Sequence, residues 1–155
     1  MIGSLGARRY HAIRSGERPA SRMYNTMAQI KIYGHAVHLQ VHRQAISDTI
    51  HACAMSELGL PADKRFHRFI SLAAEDFIHP ADRSSAYTII EVSLFEGRTV
   101  ETKKAFIRAL FARFETDKLA APQDLEITLT ETPRCNWGIR GNPGDELTLN
   151  YKVEQ

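Results

Sequence analysis

The sequence predicts an α+β domain built from α/β-type units. Two tandem β-α-β units would form a four-stranded mixed sheet with two helices on one face, plus a C-terminal strand. Three observations carry this. Short runs of alternating apolar and polar residues are separated by stretches with apolar residues at helical spacing. The order strand, helix, strand occurs twice. The two halves also align at an offset of 61 residues.

In the first unit Gln29 to Tyr33 alternates and reads as a strand stopped by Gly34. From about Leu39 to Leu58, Leu39, Ile46, Ile50, Cys53, Ala54 and Leu58 fall on one helical stripe, and Gly59 and Pro61 end it. Arg65 to Leu72 reads as a second strand, followed by a polar loop with Asp76, Pro80 and Asp82. In the second unit Thr88 to Phe95 is a β-branched strand, and Val100, Ile107, Leu110, Phe111 and Phe114 mark a helix face. Pro122 follows that helix, and Leu125 to Thr130 alternates as a strand.

The offset pairs Leu39 with Val100, Ile46 with Ile107, Ile50 with Phe111 and Cys53 with Phe114. It also superposes Leu58, Pro61 and Asp63 on Leu119, Pro122 and Asp124. Helical stripes coincide easily, but a shared Leu-x-x-Pro-x-Asp ending does not, so the chain reads as a duplication over about 28–72 and 88–130. Right-handed crossovers would make each strand pair parallel. Aliphatic residues on both sides of the strands leave the second sheet face in need of cover, which self-association would supply. Asn142-Pro143-Gly144-Asp145 is a turn signal. The alternating run Leu147, Leu149, Tyr151 and Val153 after it predicts a terminal strand able to pair with a neighbouring subunit.

Charge divides the chain. Residues 1–26 hold five arginines (Arg8, Arg9, Arg14, Arg18 and Arg22) against Glu17. Of the total charge of +2 they carry +4, leaving −2 for residues 27–155. The basic character belongs to this leader, and no nucleic-acid partner is expected. The leader has the composition of an organelle transit peptide, or it precedes a start misassigned upstream of Met27 or Met23; in either case it is expected to be poorly ordered. Residues 27–155 are the expected domain. No run approaches a membrane span, so cytoplasmic localisation is expected, or an organelle if the leader is a genuine transit peptide.

Two cysteines imply no disulfide framework: Cys53 lies on the apolar stripe and Cys135 in a polar loop. His38 and His42 stand at i, i+4, but without a third ligand in register they read as surface histidines. Gly138 to Gly141 reads as a turn, and neither metal nor cofactor is expected.

The run Phe95-Glu96-Gly97-Arg98-Thr99-Val100-Glu101-Thr102-Lys103-Lys104 resembles the Glu-Gly-Arg segment that follows the first strand of 4-oxalocrotonate tautomerases. Ala121-Pro122-x-Asp124, the strand ending Thr130-Glu131, and Asn136-Trp137-Gly138-Ile139 resemble the same family in order and spacing. Leu58-Gly59-Leu60-Pro61-x-Asp63-Lys64-Arg65-Phe66 is similar to malonate semialdehyde decarboxylases, fused versions of the same unit. The resemblance spans Met27 to about Asp145. It implies a β-α-β-β-α-β protomer, a homotrimer, and a pocket in which an N-terminal proline is the base, arginines hold a carboxylate and an aromatic residue forms a wall.

Matched position by position, the resemblance makes Arg98 and Arg65 the carboxylate-binding residues and Trp137 the aromatic wall. Three departures accompany it: Ala28 follows Met27 where the family has proline, Lys64 replaces the decarboxylases' aspartate, and Glu96 replaces one of their two arginines. Decarboxylation of malonate semialdehyde is therefore not expected. Tautomerisation needs a base that is neutral near pH 7. A chain beginning at Ala28 would supply a primary amine, neutral in roughly one molecule in seven to ten at pH 7, and Arg65 and Arg98 would raise that share. If residues 1–26 remain attached, that nitrogen is an amide and the route is closed. His67 is a second candidate base that needs no free terminus. Along Lys64 to Phe69 either Arg65 with His67 or Phe66 with Arg68 is expected to line the pocket. The expected activity is keto–enol tautomerisation of a small carboxylate-bearing substrate; the alternative is a non-catalytic trimer that binds a ligand or partner.

Overall fold

A computed structural model of the chain describes residues 27–147. Strand β1 (Ala28–His35) leads into helix α1 (Ala36–Leu58), which returns the chain to β2 (His67–Leu72). The second unit repeats this as β3 (Thr88–Phe95), α2 (Val100–Thr116) and β4 (Leu125–Thr132). The sheet order is β2-β1-β3-β4, with β1·β2 and β3·β4 parallel and β1·β3 antiparallel. The predicted fold class and both units are present. A two-residue hairpin, β5 (Gly138–Ile139) and β6 (Asn142–Pro143), follows. Its turn residues Arg140 and Gly141 both have positive φ, at 52° and 84°, which matches the right-handed twist of paired strands. Beyond Leu147 the predicted terminal strand lies outside the described residues, as does the leader.

Alternation places Ile30, Ile32, Ile90, Val92 and Leu94 on the face under the helices, each no more than 1% exposed. All six residues of the predicted α1 stripe are buried. On α2 the buried set is Phe106, Leu110 and Phe114, so the predicted face is rotated. Thr99 caps this helix by accepting the Thr102 N–H (3.1 Å), which makes Val100 its first residue and leaves it 58% exposed. Ile107 and Phe111 are half-buried.

The helix ends are fixed differently. Gly59 closes α1 in the left-handed region (φ 69°). After α2, Lys118 takes that conformation (φ 55°). There Leu119 N–H bonds to Phe114 O (2.9 Å) and Lys118 N–H to Glu115 O (3.1 Å), a Schellman end without glycine.

The open sheet face carries Gln29, Lys31, Tyr33, Arg68, Glu91 and Ser93, with Ile70, Leu72 and Ile89 as half-buried aliphatics. Tyr33 Oη donates to Glu91 (3.0 Å), and Lys31 lies 3.9 Å from the same carboxylate. Aliphatic residues therefore occur on both faces, as expected, although alternation from Ile30 puts the fully buried ones under the helices. The matched aspartates also diverge. Asp124 is buried and accepts from Ser84 N–H (2.7 Å) and Oγ–H (2.6 Å), tying the β2–β3 loop to β4. Asp63 is exposed beside Lys64 (3.1 Å).

Candidate functional site

Because β1 runs antiparallel to β3, one end of the sheet gathers four features: the start of β1, the entry to β2, and the loops leaving β3 and β4. Ala28 pairs with Leu94, and its methyl group is buried in the core. Ile30 N–H donates to Phe66 O (2.9 Å). Backbone groups of alternate residues share a strand edge, so the Ala28 nitrogen faces the segment entering β2, which carries Lys64 and Arg65.

Arg98 sits in the β3–α2 loop at the same end. Its Nη1 donates to Phe95 O (3.2 Å) and its backbone N–H to Glu131 Oε1 (3.4 Å), while Lys103 Nζ holds Glu131 Oε2 at 2.8 Å. Burial pushes the Arg98 pKa down and Glu131 pushes it back. The guanidinium remains charged in any case, so the burial shows a partly desolvated cation, the state in which an arginine binds a carboxylate most strongly. Trp137 packs edge-on against Phe95 (centroids 5.0 Å) and donates Nε1–H to Thr132 Oγ1 (2.7 Å). The Arg134 guanidinium lies over the Phe95 ring, 5.2 Å from its centroid.

Gly144 N–H donates to Trp137 O (2.7 Å). A Cβ at Gly144 would stand 2.5 Å from Arg134 O, so glycine is required for this loop to close. A groove of about 380 Å³ opens beside Trp137, Cys135, Asn136 and Ile139; its lining includes neither Ala28 nor Arg98.

Arg65 and His67 form a separate group. The register Ile30↔His67 turns both toward α1, and Phe66 and Arg68 toward the open face. Arg65 Nη1 contacts Asp48 at 2.5 Å and Ser47 Oγ at 3.4 Å. His67 Nδ1 lies 2.9 Å from Ser47 Oγ, and its ring is 6.2 Å from that of His51. Burial, then Arg65 and His51, lower the His67 pKa from 6.5 to about 4, against Asp48. The structure thus brings Ala28, Arg98 and Trp137 to one end of the sheet, with Arg65 and His67 drawn against α1. Glu131, Lys103, Phe95, Ser47 and Asp48 were missed by sequence reasoning. For Ser47 and Asp48 no signal existed, since a mid-helix polar pair reads as surface.

The depressed His67 pKa has a consequence for stability. The unfolded chain binds this proton near pH 6.5 and the folded chain only near 4. The contribution is therefore whole above pH 6.5 and is lost as pH falls from 6.5 through 4. Discounted for partial exposure, it is about 1–2 kcal/mol. Urea unfolding at pH 7 and pH 4.5 should show His67→Gln narrowing the difference by about 1 kcal/mol; an unchanged difference would refute the assignment.

Among the described residues no group of three or more His, Cys, Asp or Glu side chains is placed to hold a metal ion. His38 and His42 do approach (rings 4.7 Å apart). No described helix is long and apolar enough to cross a membrane.

Two linked β-α-β units, with Arg98 and Trp137 both at the β1 end of the sheet, have the architecture of a fused tautomerase-type protein. The family described as "Tautomerase enzyme" matches residues 64–140. A probable tautomerase of Ralstonia nicotianae is 38% identical over 56 residues, 36% of this chain and 79% of that one. A probable tautomerase of Bacillus subtilis is 24% identical over 118 residues, 73% of this chain and 93% of that one. The chain belongs to the tautomerase family. Among solved structures, malonate semialdehyde decarboxylase aligns with TM-score 0.67 at 22% identity, covering 77% of this chain and 99% of that one. Native fused 4-OT aligns equally (TM-score 0.67, 22% identity, 77% and 98% covered). At these identities the likeness establishes the fold.

Proposed function

We propose that this chain catalyses keto–enol tautomerisation of a small carboxylate-bearing substrate, with the Ala28 nitrogen moving the proton. Arg98 holds the carboxylate, and Trp137 with Phe95 walls the reacting carbon. The observation that carries this reading is the Ala28 nitrogen facing the Lys64–Arg65 segment at the end of the sheet where Arg98 lies. A cation near an amine, the place this reading gives Arg98, favours its neutral form, the form that accepts a proton from the enol hydroxyl and returns it to carbon. His67 belongs with Arg65 and Ser47 in this reading. A base with a pKa of about 4 holds a proton too weakly to compete with the amine. A homotrimer is part of the same proposal, supported by the fused 4-OT neighbour described as an asymmetric trimer.

The test compares a chain beginning at Ala28 with one in which residues precede it. The decay of enol absorbance of phenylenolpyruvate should accelerate with the first and not with the second, where nitrogen 28 is an amide. Equal rates would overturn the amine mechanism. No acceleration by either would favour the second reading, a non-catalytic tautomerase-fold protein, to which the missing proline already points. Intact mass of the native protein shows which form the cell makes.

A further inference from the structure

We propose that His35 and His79 form an acid-operated latch: a shared proton holds the β2–β3 loop against the end of β1, and full protonation of the pair releases it. The pair lies at the end of β1 away from Ala28 and is independent of the proposed reaction. Its two Nε2 atoms are 2.8 Å apart. The ring centroids are 5.1 Å apart, which is that nitrogen separation plus one ring radius on each side. The nitrogens therefore point straight at each other, the geometry of an N–H···N hydrogen bond.

Counting hydrogens fixes the tautomers. His79 Nδ1 lies 3.1 Å from Pro80 O, which can only accept, so Nδ1 carries the proton. In neutral His79 the Nε2 is then a bare acceptor, and the bridging hydrogen belongs to His35 Nε2. Neutral His35 keeps its lone pair on Nδ1. A first added proton goes there and strengthens the bridge, because a charged donor bonds more strongly than a neutral one. The next can go only to His79 Nε2. It removes the acceptor and sets two N–H groups of like charge head-on.

The bridge fastens a small aromatic cluster. Phe77 stacks on Tyr87 (centroids 5.3 Å, planes 19° apart), and the His79 ring packs on them at 5.6 and 5.0 Å. His35 meets Phe77 edge-on at 5.1 Å. Phe77 and Tyr87 are buried yet lie outside the main core, a satellite cluster under a loop. Asp124 on Ser84, and Gln123 on the Asp82 carbonyl (2.8 Å), anchor the rest of the loop. The latch thus governs the stretch before Asp82. The charges around it do not rescue a doubly protonated pair. His38, on the first turn of α1, feels the charge of His35 and adds only more positive charge when protonated. Behind Tyr87, Arg83 lies 5.9 Å from the ring centroid and engages Asp82 (3.0 Å) and Glu126 (3.6 Å), and Glu126 also holds the Tyr87 hydroxyl. Glu75 and Asp76, on the loop itself, are exposed to water.

The test is nitrogen NMR of the imidazoles together with amide hydrogen exchange, both on the full chain. In neutral solution the spectra should show His79 protonated at Nδ1 and His35 at Nε2. Histidine changes charge between about pH 5 and 8, and exchange is compared near those two limits. Corrected for its intrinsic pH dependence, exchange around Phe77 should quicken by about five- to tenfold at the acid limit, the loss of one net hydrogen bond. Amides of β1 should stay protected. His79→Ala should exchange fast at both limits. His35→Gln should stay closed at both, since its amide can donate to a neutral imidazole and accept from a charged one. The proposal is overturned by His79 protonated at Nε2 in neutral solution, by loop exchange insensitive to pH, by a full acid response in His35→Gln, by a protected loop in His79→Ala, or by β1 opening together with the loop.

Discussion

Arg98→Ala is expected to lower kcat/KM for phenylenolpyruvate by about 100-fold, with most of the loss in KM. A partly desolvated guanidinium paired with a carboxylate contributes on the order of 2–4 kcal/mol when one partner is truncated, and about 2.7 kcal/mol is a hundredfold. The carboxylate is bound alike before and during proton transfer, so its loss falls on binding rather than on the chemical step. Arg98→Lys should recover only part of the activity: it restores the charge but not the planar fork that meets two carboxylate oxygens. Arg98 also holds its own loop through Phe95 O. A melting curve for each variant separates loss of the binding group from loss of the loop. Arg98→Ala with unchanged kcat/KM would remove Arg98 from the site altogether.

The fold was legible because backbone periodicity is written into the sequence at nearly every step. Alternation fixes which residues of β1 and β3 lie under the helices, and helical spacing fixes the buried stripe of α1. The α2 face was misjudged for a local reason. The Thr99 cap sets where the helix starts, and that phase decides that Phe106 rather than Val100 enters the core. The site was less legible because it depends on relations between elements. Whether Arg65 with His67, or Phe66 with Arg68, turns toward α1 is one residue of register, set by Ile30↔His67. The bond from Asp48 to Arg65 joins residues on two elements, and no spacing within either announces it. Trp137 is legible as an aromatic in a loop. Its orientation comes from Thr132 Oγ1 and from the tight approach of Gly144.

The same duplication that reveals the fold predicts unequal cores. The offset superposes Cys53 on Phe114, and both are buried, at 3% and 0% exposure. The volume between helices and sheet is thus filled mainly from the α2 side at this pair, by an aromatic ring that closes against Leu110 and Phe106, also fully buried. Phe114→Ala should destabilise the domain by about 3–5 kcal/mol: lost burial of the ring plus a cavity that rigid sheet neighbours cannot fill. Cys53→Ala removes one atom and should cost about 1–2 kcal/mol by the same reasoning. For a domain of this size the aromatic variant should melt on the order of 10–20 °C lower, and its urea midpoint should fall with the slope unchanged. Phe111, three residues earlier and half-buried, is the internal control. If Phe111→Ala costs as much as Phe114→Ala, the core does not lie where Phe106, Leu110 and Phe114 place it. The rotated α2 face described above would then be wrong, and with it the phase set by the Thr99 cap.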